Sequence, residues 1–203
     1  METNQSLEKI RFIKEMLVFI WENKIKDKAI KGFILYERQF QAELYHQLNF
    51  MLYPQYNVWI EPHIQKKNKT SIIPDMIITS NDDSGENQIL TVIELKWKPW
   101  EFPPFKEDIK KLIEFNHNEL EEMNPLGAKS VSSNWEEVKG QNQLFYSIHP
   151  ELLKVYVVFG HPGSDAIKPE KIETKPNNFL HLHGCIEKGQ PKFDSEEIYF
   201  TIR

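Results

Sequence analysis

The 203-residue chain has a single cysteine, Cys185, so no disulfide can form within it. That points to a reducing, cytoplasmic setting rather than a disulfide-stapled secreted scaffold. No apolar run approaches the length needed to cross a bilayer. The N-terminal stretch METNQSLEKIRFIKEM carries acidic residues and no uninterrupted apolar segment, so it does not have the pattern of a signal peptide. Internal repeats, low-complexity tracts and domain-dividing linkers are also missing. One domain over residues 1–203 is therefore expected. Nor is there an excess of positive charge: the formal net charge is −5 and the pI is about 5.8. This counts against a generic nucleic-acid-binding domain, unless basic residues gather on one face. Two local concentrations exist, HIQKKNK at 63–69 and the set Lys96, Lys98, Lys106, Lys110 and Lys111. Ordinary solvated charge explains each about as well as a binding surface does.

What is present is globular: 40% hydrophobic and 27% charged residues exclude a mostly disordered chain. Leu7, Ile10, Ile13, Leu17 and Ile20 fall at helical spacing, which predicts a helix over 6–23 within an N-terminal helical segment 5–30. Phe40, Leu44, Leu48 and Met51 predict a second helix over 37–52, stopped by Pro54. Three β-rich runs follow, at 56–61, 71–79 and 88–97, with the turn-rich SNDDSGEN between the second and third. The third, QILTVIELKW, is almost continuously apolar before Glu94, as expected of a central strand buried on both faces. Helices are then expected at 105–123 and 134–148, the latter closed by His149-Pro150. A strand is expected at 153–159, and a hairpin from Phe179 to Ile202 in a β-rich tail, 161–203. The expected fold class is α/β (α+β), a mixed β-sheet flanked by helices, with its core over about 36–160.

Within that frame, Pro74-Asp75 lies in the second run and Glu94-Leu95-Lys96 at the end of the third. Side chains alternate along a strand, so Glu94 and Lys96 share a face and Leu95 takes the other. If the two strands pair, Asp75 reaches that same face. Burying two carboxylates together is unfavourable unless a proton or cation compensates. Mg²⁺ suits such a place, since it uses one or two carboxylates and completes its shell with water and phosphate oxygens. A lysine beside it can orient water or stabilise a developing oxyanion.

These residues, with apolar positions before each half, resemble the PD-(D/E)xK motif of the restriction-endonuclease-like nuclease superfamily. The resemblance covers residues 36–160 in element order. It implies an αβββαβ core and a Mg²⁺-dependent nuclease, with Mn²⁺ able to substitute, leaving 5′-phosphate and 3′-hydroxyl ends. It implies metal binding by Asp75, Glu94 and the backbone carbonyl of Leu95, and a catalytic role for Lys96. Many members also carry a glutamate on the helix before the first core strand, and Glu43 is the candidate here, as a catalytic or metal-binding residue. The implied partner is nucleic acid, DNA before RNA. A homodimer would suit cleavage of both strands. The competing expectations are a catalytically inactive binding module of the same fold, and a domain in which the motif is accidental.

Other residues attract weaker readings. Gln143, three residues before Tyr146, imperfectly matches a glutamine-tyrosine pair of some superfamily members, and ordinary helix surface is the better reading. His181, His183 and Cys185 form an HxHxC run on one strand face, but a structural zinc site needs four protein ligands and no CxxC partner exists, so an alternating hairpin strand is favoured. Trp97, Trp100, Phe102 and Phe105 offer stacking surfaces, though packing at the sheet edge explains them better.

Overall fold

The computed structural model describes residues 2–66, 71–80, 88–98, 101, 105–115, 120–124, 147–168, 178–187 and 190–198. Helix α1 (Glu2–Ile20) buries Ile10, Ile13, Leu17 and Ile20 completely, the stripe its periodicity marks out. It runs on through a π-helical turn (Trp21–Ile25) into α2 (Lys26–Ile30), past the 6–23 stripe to the end of the expected helical segment 5–30. Helix α3 (Glu37–Leu52) buries Phe40, Leu44, Leu48 and Leu52. Strands β1 (Tyr56–Ile60), β2 (His63–Lys66), β3 (Ser71–Ile72), β4 (Met76–Ser80) and β5 (Gln88–Trp97) follow. Helix α4 (Lys106–Glu114), β6 (Leu120–Asn124), β7 (Ser147–Gly160), a 3₁₀ turn (Asp165–Ile167), β8 (Phe179–Glu187) and β9 (Gln190–Ile198) complete the order. Among the described residues, no helix is long and apolar enough to cross a membrane.

The fold is mixed α/β. Six strands form a sheet in the order β1-β4-β5-β7-β8-β9, in which β5, β7 and β8 run parallel to one another and every other pairing is antiparallel. A small antiparallel sheet, β3-β2-β6, lies beside it. Alternation along β5 sends Ile93, Leu95 and Trp97 into an apolar layer with α1 and α3. Val92 goes to the opposite layer, with Ile109, Leu112 and Phe115 of the α4 segment and Ile64 and Ile72 of the small sheet. Gly184 on β8 makes room for this packing, because a Cβ there would lie 2.6 Å from the Lys192 carbonyl oxygen and 2.8 Å from the Phe159 ring.

Several boundaries differ from the sequence expectation, each for a local reason. The 71–79 run is not one strand: Pro74 lacks the amide a ladder needs, and the chain breaks into β3 and β4 around it. The helix expected over 105–123 stops at Glu114, where Phe115 turns extended (φ −73°, ψ 94°) and buries itself fully. Residues 120–124 then pair with β2. The helix expected over 134–148 falls outside the described residues up to 146, and Ser147 and Ile148 already belong to β7. His149-Pro150 lies inside that strand, where the register with β5 shifts between Ile89 and Thr91, an irregularity that spares Pro150 from donating. β8 and β9 pair in antiparallel register from Phe179↔Ile198 to Glu187↔Gln190, a hairpin over the C-terminal segment.

Candidate active site

The end of β5 is where both layers of the molecule meet. Open sheets commonly form their crevices at the carboxyl ends of parallel strands, and β5 and β7 are such a pair. Leu95 points to the α1/α3 layer, whereas Glu94 and Lys96 reach side chains of α4. Asp75 sits in the bend just before β4, not within the strand. Its backbone carbonyl accepts hydrogen bonds from the Glu61 amide (3.0 Å) and Gln41 Nε2 (3.2 Å). Its side chain turns to β5, where the Leu95 amide donates to Asp75 Oδ2 at 2.7 Å. Asp75, Glu94 and Lys96 are thus gathered around one residue of backbone. Leu95 enters the group through its amide.

Two elements add charged groups outside the expected Asp75, Glu94, Lys96 and Glu43 set, among them Lys111 from the basic cluster noted in the sequence. From α4, Lys111 Nζ lies 3.0 Å from Glu94 Oε2 and 3.8 Å from Asp108 Oδ1. Asp108 Oδ2 is 3.8 Å from Lys96 Nζ. From α3, Glu37 Oε1 lies 3.6 Å from Lys96 Nζ, and Glu37 Oε2 accepts a hydrogen bond from the Trp97 amide at 3.2 Å. Glu43 is not part of this group. It is held by Lys28 Nζ at 2.6 Å and by Gln47 Nε2 at 2.7 Å, and those bonds outweigh burial to keep its pKa below the usual glutamate value. The α3 glutamate beside the β5 residues is Glu37.

Electrostatically the site is under tension. Glu94 is completely buried, and its Oε1 has no hydrogen-bond partner. Desolvation, joined by repulsion from Asp75, pushes Glu94 up to about 8, more than the Lys111 ammonium pulls it back. Asp108 is also buried, with Oδ2 lacking a hydrogen bond, and desolvation raises it to about 6. Burial raises Asp75 as well, against the Leu95 amide and the two lysines. Burial works against the Lys111 ammonium, but Glu94, Asp108 and Asp75 more than offset it and lift the pKa above the ordinary lysine value. Four carboxylates (Glu37, Asp75, Glu94, Asp108) face two ammonium groups (Lys96, Lys111). Fully ionised, the cluster has two more negative than positive charges, and its buried members Glu94 and Asp108 are the ones that favour a proton or a cation.

Tyr156 extends the site across the sheet. Register aligns Glu94 on β5 with Tyr156 on β7 and His181 on β8, in one row. The Tyr156 hydroxyl is buried without a hydrogen-bond partner, and burial together with the carboxylates of Asp108, Glu37, Glu94 and Asp75 raises its pKa far above the usual phenol value. His181 is fully buried and stacks on Tyr156 (5.6 Å between centroids) and Phe179 (6.2 Å). Its neighbours in the HxHxC run, His183 and Cys185, are half-buried. Trp97 is buried between Phe159 (4.4 Å) and Phe40 (5.0 Å), which makes it a packing residue. Phe105 is half-buried at the start of α4, while Trp100, Phe102 and Gln143 lie outside the described residues.

Among the described residues, no group of three or more His, Cys, Asp or Glu side chains is arranged so that it could hold a metal ion. Lys111 bridges Glu94 and Asp108, and Asp75 Oδ2 is engaged by the Leu95 amide. The donor chemistry nonetheless fits Mg²⁺ or Mn²⁺. Such an ion needs only one or two carboxylates from the protein. Asp75 and Glu94 supply them, and Glu94 Oε1 is a buried acceptor with no donor. No family model matches the chain, and comparison with curated proteins and with solved structures finds no match.

Proposed function

We propose that this chain is a metal-dependent nuclease of the PD-(D/E)xK type, hydrolysing phosphodiester bonds of nucleic acid, DNA before RNA. The observation that carries the reading is the convergence of Asp75, Glu94 and Lys96 at the end of β5, with the Glu94 carboxylate fully buried and one oxygen lacking a donor. With the small sheet β3-β2-β6 set aside, the remaining order α3-β1-β4-β5-α4-β7 supports it, matching the αβββαβ sequence of elements that the resemblance implies. A buried, under-neutralised acid cluster costs stability, and such arrangements concentrate at functional sites.

Asp75 and Glu94 are the residues that would hold Mg²⁺ or Mn²⁺, and the bound ion would supply a water of lowered pKa and neutralise charge on the phosphate. Lys96 orients the attacking water and faces the charge that develops on the phosphoryl oxygens. Glu37 and Asp108 flank the Lys96 ammonium at 3.6 and 3.8 Å and fix where it points. The Leu95 amide fixes Asp75 in the same way. The test is cleavage of labelled oligonucleotides with Mg²⁺ or Mn²⁺. The wild type should cut, and Asp75→Ala and Lys96→Ala, checked for folding by circular dichroism, should not. Cleavage that survives both substitutions rules the proposal out.

One observation favours a second reading. Lys111 already occupies Glu94 Oε2 at 3.0 Å, as expected of a non-catalytic binding module in which lysine has replaced the cation. A Mn²⁺ titration separates the two. The nuclease gains thermal stability with Mn²⁺ and loses that gain in Asp75→Ala, whereas the binding module shows no shift in either protein.

A further inference from the structure

The turn that leads into Glu37 displays apolar side chains in a way that packing does not explain. Helix α2 ends on Gly32 at φ +70°, with the Gly32 amide donating to the Ala29 carbonyl (3.1 Å) and the Phe33 amide to the Lys28 carbonyl (2.9 Å). This pair of bonds is the helix-ending motif in which the residue after glycine commonly folds back onto the helix. Here Phe33 does not fold back, and is 66% exposed. Beyond it Ile34 is buried as an anchor, while Leu35 is 58% and Tyr36 66% exposed. The turn is tied at its far end too, by the Leu35 amide donating to Gln39 Oε1 (2.8 Å) and by the Phe40 amide donating to the Tyr36 carbonyl (3.0 Å). Phe33, Leu35 and Tyr36 are therefore held outward on an ordered support. Tyr36 adjoins Glu37, and even Phe33 is at most roughly 14 Å along the chain from it.

Basic residues flank this ridge in the sequence. Residues 24–38 contain five basic and two acidic residues, in a chain whose net charge is −5. Lys28 is committed to Glu43. Lys31 makes an exposed ion pair with Asp27, of the weak kind a phosphate can replace. Lys24, Lys26 and Arg38 are exposed. Aromatic faces interleaved with lysine and arginine are the chemistry of single-strand binding, in which bases stack on rings and the backbone follows positive charge. A duplex keeps its base faces covered, so an exposed phenyl ring has nothing there to stack on.

We infer that the strand delivered to the site is single-stranded: Phe33 and Tyr36 stack on unpaired bases, Leu35 packs beside them, and Lys26, Lys31 and Arg38 hold the phosphates leading to Lys96. The inference rests on the nuclease reading and names its substrate class. A protein partner on the same ridge is the alternative that the experiment below distinguishes.

Binding is measured by fluorescence anisotropy in EDTA, with a labelled oligothymidylate and a duplex of equal length. The single strand should bind more tightly. Phe33→Ala and Tyr36→Ala should each weaken it roughly tenfold. The triple variant Lys26→Ala/Lys31→Ala/Arg38→Ala should flatten the dependence of log affinity on log salt by about 2. Equal binding of duplex, or aromatic variants that bind and cut a single strand as the wild type does, overturns the inference while Mg²⁺-dependent cleavage keeps the nuclease reading. So does a ridge variant that changes only the oligomeric state in sedimentation. Single-strand binding with these signatures but no cleavage under Mg²⁺ or Mn²⁺ supports the ridge and removes the nuclease. Failure of both nucleic acids to bind or be cut removes both.

Discussion

On one side of the six-stranded sheet, under α1 and α3, Trp97 packs between Phe40 and Phe159, and the layer is filled by isoleucine, leucine and valine. On the other side, under α4, the sheet buries Glu94, Tyr156 and His181 in one row, and α4 lays Asp108 against them. The first side shields apolar surface and asks nothing of water. The second keeps carboxylates away from water with only part of their charge and hydrogen bonding matched. Strand alternation separates the two kinds of residue: odd positions 93, 95 and 97 of β5 enter the apolar layer, and even positions 94 and 96 meet the charges of α4. Glu37 crosses that division by lying at the end of β5, where it reaches both Lys96 and the Trp97 amide.

Substitutions on the charged side should cost activity, and a loss of stability in its place would erase the contrast between the two faces. Asp75→Ala and Glu94→Ala should lower the cleavage rate by more than about 10³-fold, and Lys96→Ala by about 10²- to 10³-fold, the scale of removing a charge that acts on the transition state. Quenched-flow or gel assays of cleavage, read beside thermal melting, check this. The apolar side should answer in the opposite way. Leu17→Ala, at a fully buried position in α1, should cost about 2–5 kcal/mol in denaturant unfolding and leave cleavage per folded molecule unchanged.

A subtler contrast lies in pH. Folding raises Glu94 from its ordinary 4.5 to about 8, and Asp108 from 3.8 to about 6. Between each pair of values the folded state holds more protons than the unfolded one, so these groups make stability fall as pH rises through those windows. Glu94→Gln removes the larger effect. Its melting temperature should gain on the wild type as pH is raised from about 4.5 to about 8 and level off above that, while cleavage is lost. A melting-temperature difference that stays flat across this range would show that Glu94 titrates normally. The smallest effects should separate two glutamates of one helix. Glu37→Ala, which loosens Lys96, should slow cleavage roughly tenfold, a loss of about 1.4 kcal/mol in transition-state stabilisation. Glu43→Ala should leave the rate unchanged and cost at most about 1 kcal/mol of stability, the scale of its partly exposed pair with Lys28. Equal effects on rate from both would place Glu43 back in the site.

What the sequence disclosed, and what it hid, follow from range. The continuous apolar run before Glu94 identifies a doubly buried strand, and alternation then assigns Glu94 and Lys96 to one face without knowledge of the partner strands. Helical spacing likewise exposes the stripes of α1 and α3. Pro74 carries its own break signal, since it has no amide to donate, but the apolar residues on either side have strand character and hide it. Glu37 and Glu43 lie on the same helix, six positions apart, and nothing local tells which of them reaches β5. That depends on tertiary docking. Asp108 and Lys111 did carry a signal: Asp108 interrupts the buried stripe of Ile109 and Leu112, three residues before a lysine. A charge inside an apolar stripe asks for a partner, and here the partners come from β5.

In the proposed nuclease, Asp75 and Glu94 together hold a divalent cation. Crystals soaked with Mn²⁺ and measured for anomalous scattering test this directly. The expected result is an anomalous peak shared by the Asp75 and Glu94 carboxylates, with Lys111 moved off Glu94 Oε2. A map with no peak at either carboxylate, and Lys111 still on Glu94, would contradict it.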